Sequence, residues 1–373
     1  MTLLKGYKET SDKTGEFYGA YSHGNIYYQL NSKKGLNYAK KYAFYDLKKA
    51  KISKKDLKNM KVMNVGNGRE AIALSLLGAK SVDHFDISLE HIKRTSKLVK
   101  SLKINNVSST PRNLCKKKLK ENIYDFVYLN GIVHHFSNTS YGLKNCSRSV
   151  KLGGKIWVYF YRSGSFRWFV CSMIRKILTA DQLKSFFFST SNVFSHGKTD
   201  NVYTSRIMDD FFAPYIHLYE PKEYISFMEA LGFKLISKKN LESFKQIDHL
   251  NCHHSGILVF KRIKNIEAEK ETNNLLTPNN HVDQLNPNSY DSKSAKDSIK
   301  YFKQFEKLTK KNKDHMIVFT CLLALHRISA GQYYTDVSPD FTKQLLSYPG
   351  KELPPNYGNL INVLRNSIQA LKK

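Results

Sequence analysis

The sequence predicts an α/β protein built on a doubly wound parallel sheet with helices on both faces. Two observations predict this class. After residue 60, short apolar runs alternate with segments of helical periodicity, at 61–65, 82–87, 124–129 and 155–161. The first run also ends in glycines and leads directly into a helical stretch. Strands that alternate with helices form βαβ units, and such units build a parallel sheet.

The remaining elements follow from composition and spacing. Residues 1–55 are rich in tyrosine and lysine, and 38–47 have mixed helical spacing, so we expect a helical lead-in. The main domain is predicted at 56–263, with two late strands at 233–238 and 255–262. The segment 162–232 is too long for a simple crossover, which predicts a cap that selects the substrate.

The end of the chain is predicted to be separate from the main domain. Residues 264–295 contain many asparagines and almost no apolar residues, so they cannot offset their ordering entropy by burial and are predicted to be a linker. Beyond it, apolar residues recur at three-residue steps, and 316–325 and 360–371 also have helical spacing. The pattern predicts a small helical module at 296–373, whose role and protein partner the sequence does not indicate.

Charge and cysteine content limit the possible surroundings. The 373 residues include 60 Lys and Arg against 31 Asp and Glu, a formal net charge of +29, which ordinarily suggests an anionic partner. Because the charge is spread along the whole chain, a nucleic-acid or membrane partner is possible but not favoured. Five irregularly spaced cysteines fit a reducing compartment, and the polar N-terminus has no signal-peptide core. With no apolar run long enough to span a membrane, we expect a soluble, cytoplasmic protein.

The strongest local motif is the turn between the first strand and the helix that follows it. It contains Asn64, Gly66, Asn67 and Gly68. A glycine turn at a helix N-terminus lets backbone amides approach a ligand. Twenty residues after Gly66, Asp86 ends the next apolar run, where an acidic side chain can accept both hydroxyls of a ribose. Together these features predict a site for a nucleoside-bearing cofactor.

Two further motifs follow in order. Residues 124–136 read as a strand that leads into a loop carrying His134 and His135, and 148–158 as a helix, a Gly-Gly turn and a strand. With these four motifs, residues 60–262 resemble the class I S-adenosylmethionine-dependent methyltransferases, in the broad branch that includes the ubiquinone and menaquinone biosynthesis enzymes. The resemblance implies a Rossmann-like seven-stranded sheet and S-adenosyl-L-methionine as the cofactor.

The resemblance also implies roles for individual residues. The turn with Gly66 and Gly68 would pack against the methionine part of the cofactor, and Asp86 would hold the ribose. Ile87 would lie against the adenine, the pair Asn113 and Leu114 would be next to the adenine amino group, and the backbone carbonyl of Asn130 would receive the cofactor's amino group. The chain departs from the family pattern at two positions, with Asn64 in place of an acidic residue and Glu70 in place of a third glycine.

Catalytic candidates are histidines near the predicted crevice and in the cap. Residues 210–214, followed by His217, Tyr219 and Glu223, are similar to the substrate-side cap of enzymes in the same branch. Methyl transfer needs a general base only if the acceptor carries a proton, and His134, His135 or His217 could accept it. The alternative is that these histidines only pack the loop or orient the substrate.

Other readings remain open. Cys252, His253 and His254 lack the usual spacing of zinc ligands, so no metal site is expected.

The favoured function is methyl transfer to a small-molecule or metabolite acceptor, whose acceptor atom the sequence does not indicate. One alternative is an RNA methyltransferase, although no Asn-Pro-Pro-Tyr-like motif follows the fourth strand, where residues 130–133 are Asn-Gly-Ile-Val. Another is a non-catalytic cofactor-binding scaffold whose tail recruits a partner.

Overall fold

The computed structural model describes residues 14–15, 18, 30–162, 213–239, 255–265 and the backbone of 280–281. The helices are α1 (Lys33–Lys49), α2 (Lys54–Leu57), α3 (Arg69–Leu76), α4 (Leu89–Ser101), the 3-10 helix Val133–His135, α5 (Thr139–Ser149) and α6 (Pro221–Ala230). The strands are β1 (Lys61–Val65), β2 (Ser81–Asp86), β3 (Val107–Pro111), β4 (Tyr124–Asn130), β5 (Val150–Tyr161), β6 (His217–Leu218), β7 (Phe233–Lys239), β8 (Ser255–Arg262) and β9 (Asn280–His281).

Seven strands form one sheet in the order β3-β2-β1-β4-β5-β8-β7. The strands from β3 to β5 in this order are parallel, whereas β8 is antiparallel to both β5 and β7. The predicted seven-stranded Rossmann-like sheet is therefore confirmed, with an antiparallel pair at one edge. The small sheet of β6 and β9 is separate from it.

The edge strand β3 is the strand of the seven-stranded sheet that periodicity did not predict. Its sequence is Val-Ser-Ser-Thr-Pro, and its residues are half-buried or exposed. Because β3 pairs only with β2, its side chains need not be apolar. Strand β5 also differs from the prediction, since it begins at Val150 and the Gly-Gly pair lies within a bulge where the register with β4 shifts.

Alternate residues of the central strands contribute to two separate cores. On one face, Met63 of β1 and Val127 of β4 pack with residues of α5 and α6. On the other face, Val62 and Trp157 pack with α1 and α3. A sheet buried on both faces explains why the central strands read as nearly continuous apolar runs.

Helix α1 covers one of these faces. It is longer than the helical run predicted at 38–47. Its N-cap is Ser32, whose hydroxyl accepts a hydrogen bond from the amide of Gly35 at 3.0 Å. Ala39, Ala43 and Leu47 recur at four-residue spacing and are buried. Small side chains on that stripe allow α1 to pack closely against α3.

Several predicted regions lie mainly outside the described residues. Of the predicted cap at 162–232, the structure describes Arg162 and residues 213–232, which include β6 and α6. Of the predicted linker it describes 264–265 and 280–281, and the predicted helical module at 296–373 lies wholly outside. In the described part of the chain, no helix is long and apolar enough to cross a membrane.

Candidate functional site

The candidate site lies where β1 and β4 are neighbours in the sheet. From β1 the chain proceeds outward to β2 and β3, and it then returns to build the other half of the sheet from β4. At such a switch point the loops after the two strands diverge and leave a crevice at their carboxyl ends. In this protein the two loops are the turn 66–68 and the segment that begins at Gly131.

Gly66 keeps this crevice narrow but open. Its φ is +124°, and an added Cβ would lie 3.1 Å from Cγ2 of Ile132 in the opposite loop. A side chain at this position would therefore require Ile132 to shift and would strain the backbone. A glycine lets the two loops approach each other with backbone atoms exposed to a ligand.

His84 fixes the backbone of the glycine turn. Its Nε2–H donates to the carbonyl of Gly66 at 2.5 Å, and its Nδ1 lies 3.1 Å from the hydroxyl of Ser109 on β3. Burial lowers the pKa of the His84 imidazole, which favours the neutral ring. Sequence reasoning did not single out this role, because it depends on the registry of three strands.

The second glycine brings α4 against the turn. Gly68 has φ +82°, and an added Cβ would lie only 2.1 Å from Oγ1 of Thr95. The Thr95 hydroxyl donates to the carbonyl of Asn67 at 3.3 Å, and Oδ1 of Asn67 accepts from the amide of Arg69 at 3.1 Å. These contacts pack α4 against the turn and fix the turn at the start of α3.

Asp86 ends β2 next to this turn and is buried. Its Oδ1 accepts a hydrogen bond from the amide of Ser88 at 2.6 Å, and its Oδ2 accepts from Nδ1 of His91 at 2.9 Å. Ile87 is half-buried, and its carbonyl lies 3.0 Å from where a Cβ of Gly15 would be. A piece of the N-terminal segment therefore covers the backbone after Asp86.

Asn113 and Leu114 follow β3 beside Asp86. The backbone there is tied to β2, since the amide of Arg112 donates to the carbonyl of Asp86 at 2.9 Å. Oδ1 of Asn113 accepts from the amide of Cys115 at 2.9 Å, so this side chain stabilises the local turn, and Leu114 is buried. The structure thus brings this pair to the carboxyl ends of the parallel strands, where Asp86 also lies.

Asn64 lies in the middle of the sheet and is fully buried. It is aligned with His84 of β2 and Tyr128 of β4. Both polar atoms of its carboxamide lack a hydrogen-bond partner among the described residues. A buried amide without partners is costly, so a ligand or an ordered water is expected to hydrogen-bond to it.

The three candidate catalytic histidines lie on the other side of the crevice. His134 and His135 form most of the 3-10 helix after β4, and their ring centroids are 4.2 Å apart. His217 is on β6, which contacts that helix, and all three side chains are buried. The structure therefore brings together residues that are more than eighty positions apart.

Aromatic rings complete this side of the crevice. The ring of Tyr161 stacks on His134 at 3.4 Å between centroids, and Tyr18 lies edge-on to His135 at 5.4 Å. Nδ1 of His135 donates to the carbonyl of Tyr215 at 2.8 Å. Because a carbonyl only accepts, this bond places the lone pair of the neutral ring on Nε2. The tyrosines were not predicted, since they come from three distant segments.

No group of three or more His, Cys, Asp or Glu side chains in the described ranges is arranged to hold a metal ion. Residues 252–254, at which no metal site is expected from the sequence, lie outside those ranges.

Comparison with known proteins finds a family model that matches part of the chain. Residues 63–158 match the family model described as a methyltransferase domain. No curated protein matches the chain.

Similar solved structures include the PH0226 protein from Pyrococcus horikoshii, at 16% identity over 65% of this chain and 98% of that one, with a TM-score of 0.42. An S-adenosylmethionine-dependent methyltransferase from Mesorhizobium loti is 12% identical over 59% and 98%, with a TM-score of 0.41. One from Aquifex aeolicus is 15% identical over 59% and 89%, with a TM-score of 0.36. These TM-scores lie below 0.5. The functional proposal below is therefore based on the match of residues 63–158 and on the geometry of the crevice.

Proposed function

We propose that this chain, whose residues 63–158 match a methyltransferase domain, is a class I S-adenosylmethionine-dependent methyltransferase that transfers a methyl group to a small-molecule acceptor. The observation that supports it best is Asp86, a buried carboxylate at the end of β2 beside a glycine turn. A carboxylate in this position can accept hydrogen bonds from both hydroxyls of a ribose.

The described residues fit the cofactor S-adenosyl-L-methionine. The glycine turn leaves space that a Cβ at Gly66 would reduce, and the carboxamide of Asn64 has both polar atoms unpaired among the described residues. We assign the turn with Gly66, Asn67 and Gly68 to the methionine part and Asp86 to the ribose. Ile87 and the pair Asn113 and Leu114 are assigned to the adenine side, and the Asn130 carbonyl to the cofactor's amino group.

The cofactor would supply an electrophilic methyl group on a sulfonium, and its sulfur would leave as the neutral thioether of S-adenosylhomocysteine when the acceptor takes the methyl group. The protein therefore has to align the acceptor, exclude water and, for a protonated acceptor, remove one proton. The buried histidines and the rings of Tyr161 and Tyr18 exclude water on the acceptor side of the crevice. We assign proton removal to Nε2 of His135 and positioning of the acceptor to His134 and His217.

The cofactor assignment is tested by calorimetric titration with S-adenosylmethionine and S-adenosylhomocysteine. We expect a dissociation constant in the micromolar range, about −8 kcal/mol at 1 µM. Asp86→Asn should weaken binding by about 10- to 100-fold, because it removes charged hydrogen bonds to the ribose. The matched control is Asp83→Asn, on the same strand, whose carboxylate pairs with Lys61 instead. Equal affinity for Asp86→Asn and the unsubstituted protein would disprove the assignment.

The acceptor class requires a separate assay. Transfer of a radiolabelled methyl group should be measured with a small-molecule extract and with an RNA extract offered in parallel. We expect label in the small-molecule fraction, since the acceptor side is lined by buried histidine and tyrosine rings. Label in the RNA fraction alone, together with salt-sensitive retention on heparin, would favour the RNA alternative. The branch of the family also remains a prediction until this acceptor is known.

A further inference from the structure

A half-buried ion pair lies at the start of α3, directly after the glycine turn. Oε1 of Glu70 accepts hydrogen bonds from Nη2 of Arg69 at 2.5 Å and from Nε at 2.9 Å. The Glu70 side chain is 10% exposed and that of Arg69 is 32% exposed. Sequence reasoning identified Glu70 only as a departure from the glycine pattern.

Glu70 also reaches across the switch point of the sheet. Its Oε1 lies 3.4 Å from Nδ2 of Asn130, the last residue of β4. The carboxylate therefore connects the first turn of α3, which follows β1, with the end of β4. The negative charge of Glu70 therefore lies on the β4 side of the glycine turn, whereas that of Asp86 lies on the β2 side.

The shape of the proposed cofactor relates these two carboxylates. It is a nucleoside with an α-amino acid at its other end, and that amino acid carries both an ammonium and a carboxylate. With the ribose at Asp86 and the base toward β3, the amino acid extends across β1 toward β4. Two strand spacings, about 10 Å, separate the ends of β2 and β4. The amino acid therefore comes within reach of the Arg69–Glu70 pair.

We propose that Arg69 and Glu70 are the binding site for the α-amino acid end of the cofactor. Glu70 binds the ammonium, Arg69 binds the carboxylate, and the two side chains pair with each other when the cofactor is absent. Exchange of one ion pair for two keeps every charge in the half-buried site compensated. The carboxylate of Glu70 supplies the negative charge that Asn64 cannot provide. This inference rests on the proposed function, because it assumes a cofactor of this class.

The test compares ligands that share the nucleoside and differ in the amino acid. S-adenosylhomocysteine carries the whole amino acid, whereas 5′-methylthioadenosine has none. Glu70→Gln should weaken S-adenosylhomocysteine binding by about 10- to 100-fold and leave 5′-methylthioadenosine within about twofold. The matched control is Glu90→Gln, which removes a carboxylate from the Glu90–Arg94 pair on the surface of α4 and should change neither affinity.

A third ligand separates the two side chains. Decarboxylated S-adenosylmethionine keeps the ammonium and lacks the carboxylate. Arg69→Gln should weaken S-adenosylhomocysteine binding without weakening binding of the decarboxylated ligand, whereas Glu70→Gln should weaken both.

Two outcomes would overturn the inference alone. One is an equal loss of affinity for S-adenosylhomocysteine and 5′-methylthioadenosine in Glu70→Gln, which would make the pair a structural support of α3. The other is no loss for either ligand. If the unsubstituted protein binds none of the three ligands, the proposed function itself fails, and the inference fails with it.

Discussion

His91 on α4 holds the carboxylate of Asp86, with 2.9 Å between Nδ1 of the ring and Oδ2 of the acid. The other oxygen of Asp86 accepts a hydrogen bond from the amide of Ser88. Both oxygens are therefore oriented by residues that closely follow Asp86 in the chain. The proposed ribose-binding group is therefore preorganised, which lowers the entropy cost of binding.

This contact predicts a binding effect for a residue not assigned to the cofactor. His91→Leu removes the donor and should weaken S-adenosylhomocysteine binding about 10-fold, because the Asp86 carboxylate then has to be ordered when the ligand binds. His91→Gln keeps a donor and should recover part of the loss. Titration of both variants checks this, with thermal midpoints as the control for folding. Unchanged affinity in His91→Leu would show that Ser88 alone orients Asp86.

Two glycines allow backbone strain to be separated from steric overlap. Gly68 and Gly153 have nearly the same positive φ, +82° and +80°, but an added Cβ meets Thr95 at the first and nothing within 4 Å at the second. Gly153→Ala should cost about 1 kcal/mol of unfolding free energy from the left-handed conformation alone. Gly68→Ala should cost about 3 kcal/mol or more.

Urea unfolding of the two variants measures this difference. Combining Gly68→Ala with Thr95→Ala removes the nearest clashing atoms and should recover part of the free energy. Equal costs at the two glycines would mean that α4 moves away freely and that its packing does not define the turn.

Asp46 on α1 predicts a dependence of stability on pH. Burial raises the pKa of this carboxyl from 3.8 to about 6, although the hydroxyl of Tyr128 donates to it at 2.5 Å. Because the folded pKa lies above the unfolded value, the folded state binds more protons between about pH 4 and 6. Its contribution to stability is thus fully present below about pH 4 and is lost as the pH rises through about 6.

Asp46→Asn removes this titration and keeps an acceptor for Tyr128. It should raise the free energy of unfolding by up to about 3 kcal/mol at about pH 8, with the gain disappearing near about pH 4. Asp56→Asn is a control of opposite sign, since hydrogen bonds from Ser53 lower the pKa of that exposed carboxyl. Denaturant unfolding at both pH values checks the pair, and a gain for Asp46→Asn that is the same at both would contradict burial of the carboxylate as the cause.

The role assigned to His135 predicts a loss of turnover in its variant. Its Nδ1–H donates to the Tyr215 carbonyl, which places the lone pair of the ring on Nε2. For an acceptor that loses a proton, His135→Gln should lower turnover about 10²-fold or more, because the proton acceptor is removed. Affinity for S-adenosylhomocysteine should not change. Turnover that stays within about twofold of the unsubstituted protein would assign proton removal to another group.

The sequence predicted most strands and part of the site. β1, β2, β4, β7 and β8 were predicted within about two residues of their observed bounds. For β1, β4 and β8 the reason is that strands buried on both faces have nearly continuous apolar runs. β3 was missed because an edge strand can be polar. Among the residues near the site, Asp86 stood out from its spacing to Gly66. The roles of His84 and His91 did not, because they consist of contacts between different elements.

By itself, the sequence determined the alternation of strands and helices, the glycine turn and the acidic residue at the end of β2. These are local properties, since periodicity and backbone freedom are encoded within a few neighbouring residues. Only the tertiary structure decided that β4 pairs with β1, which brings Asn130 to Glu70 and His134 to Tyr161. The physical reason is that strand order depends on hydrogen bonds and packing between segments distant along the chain, and no local pattern specifies which distant segment will be the neighbour.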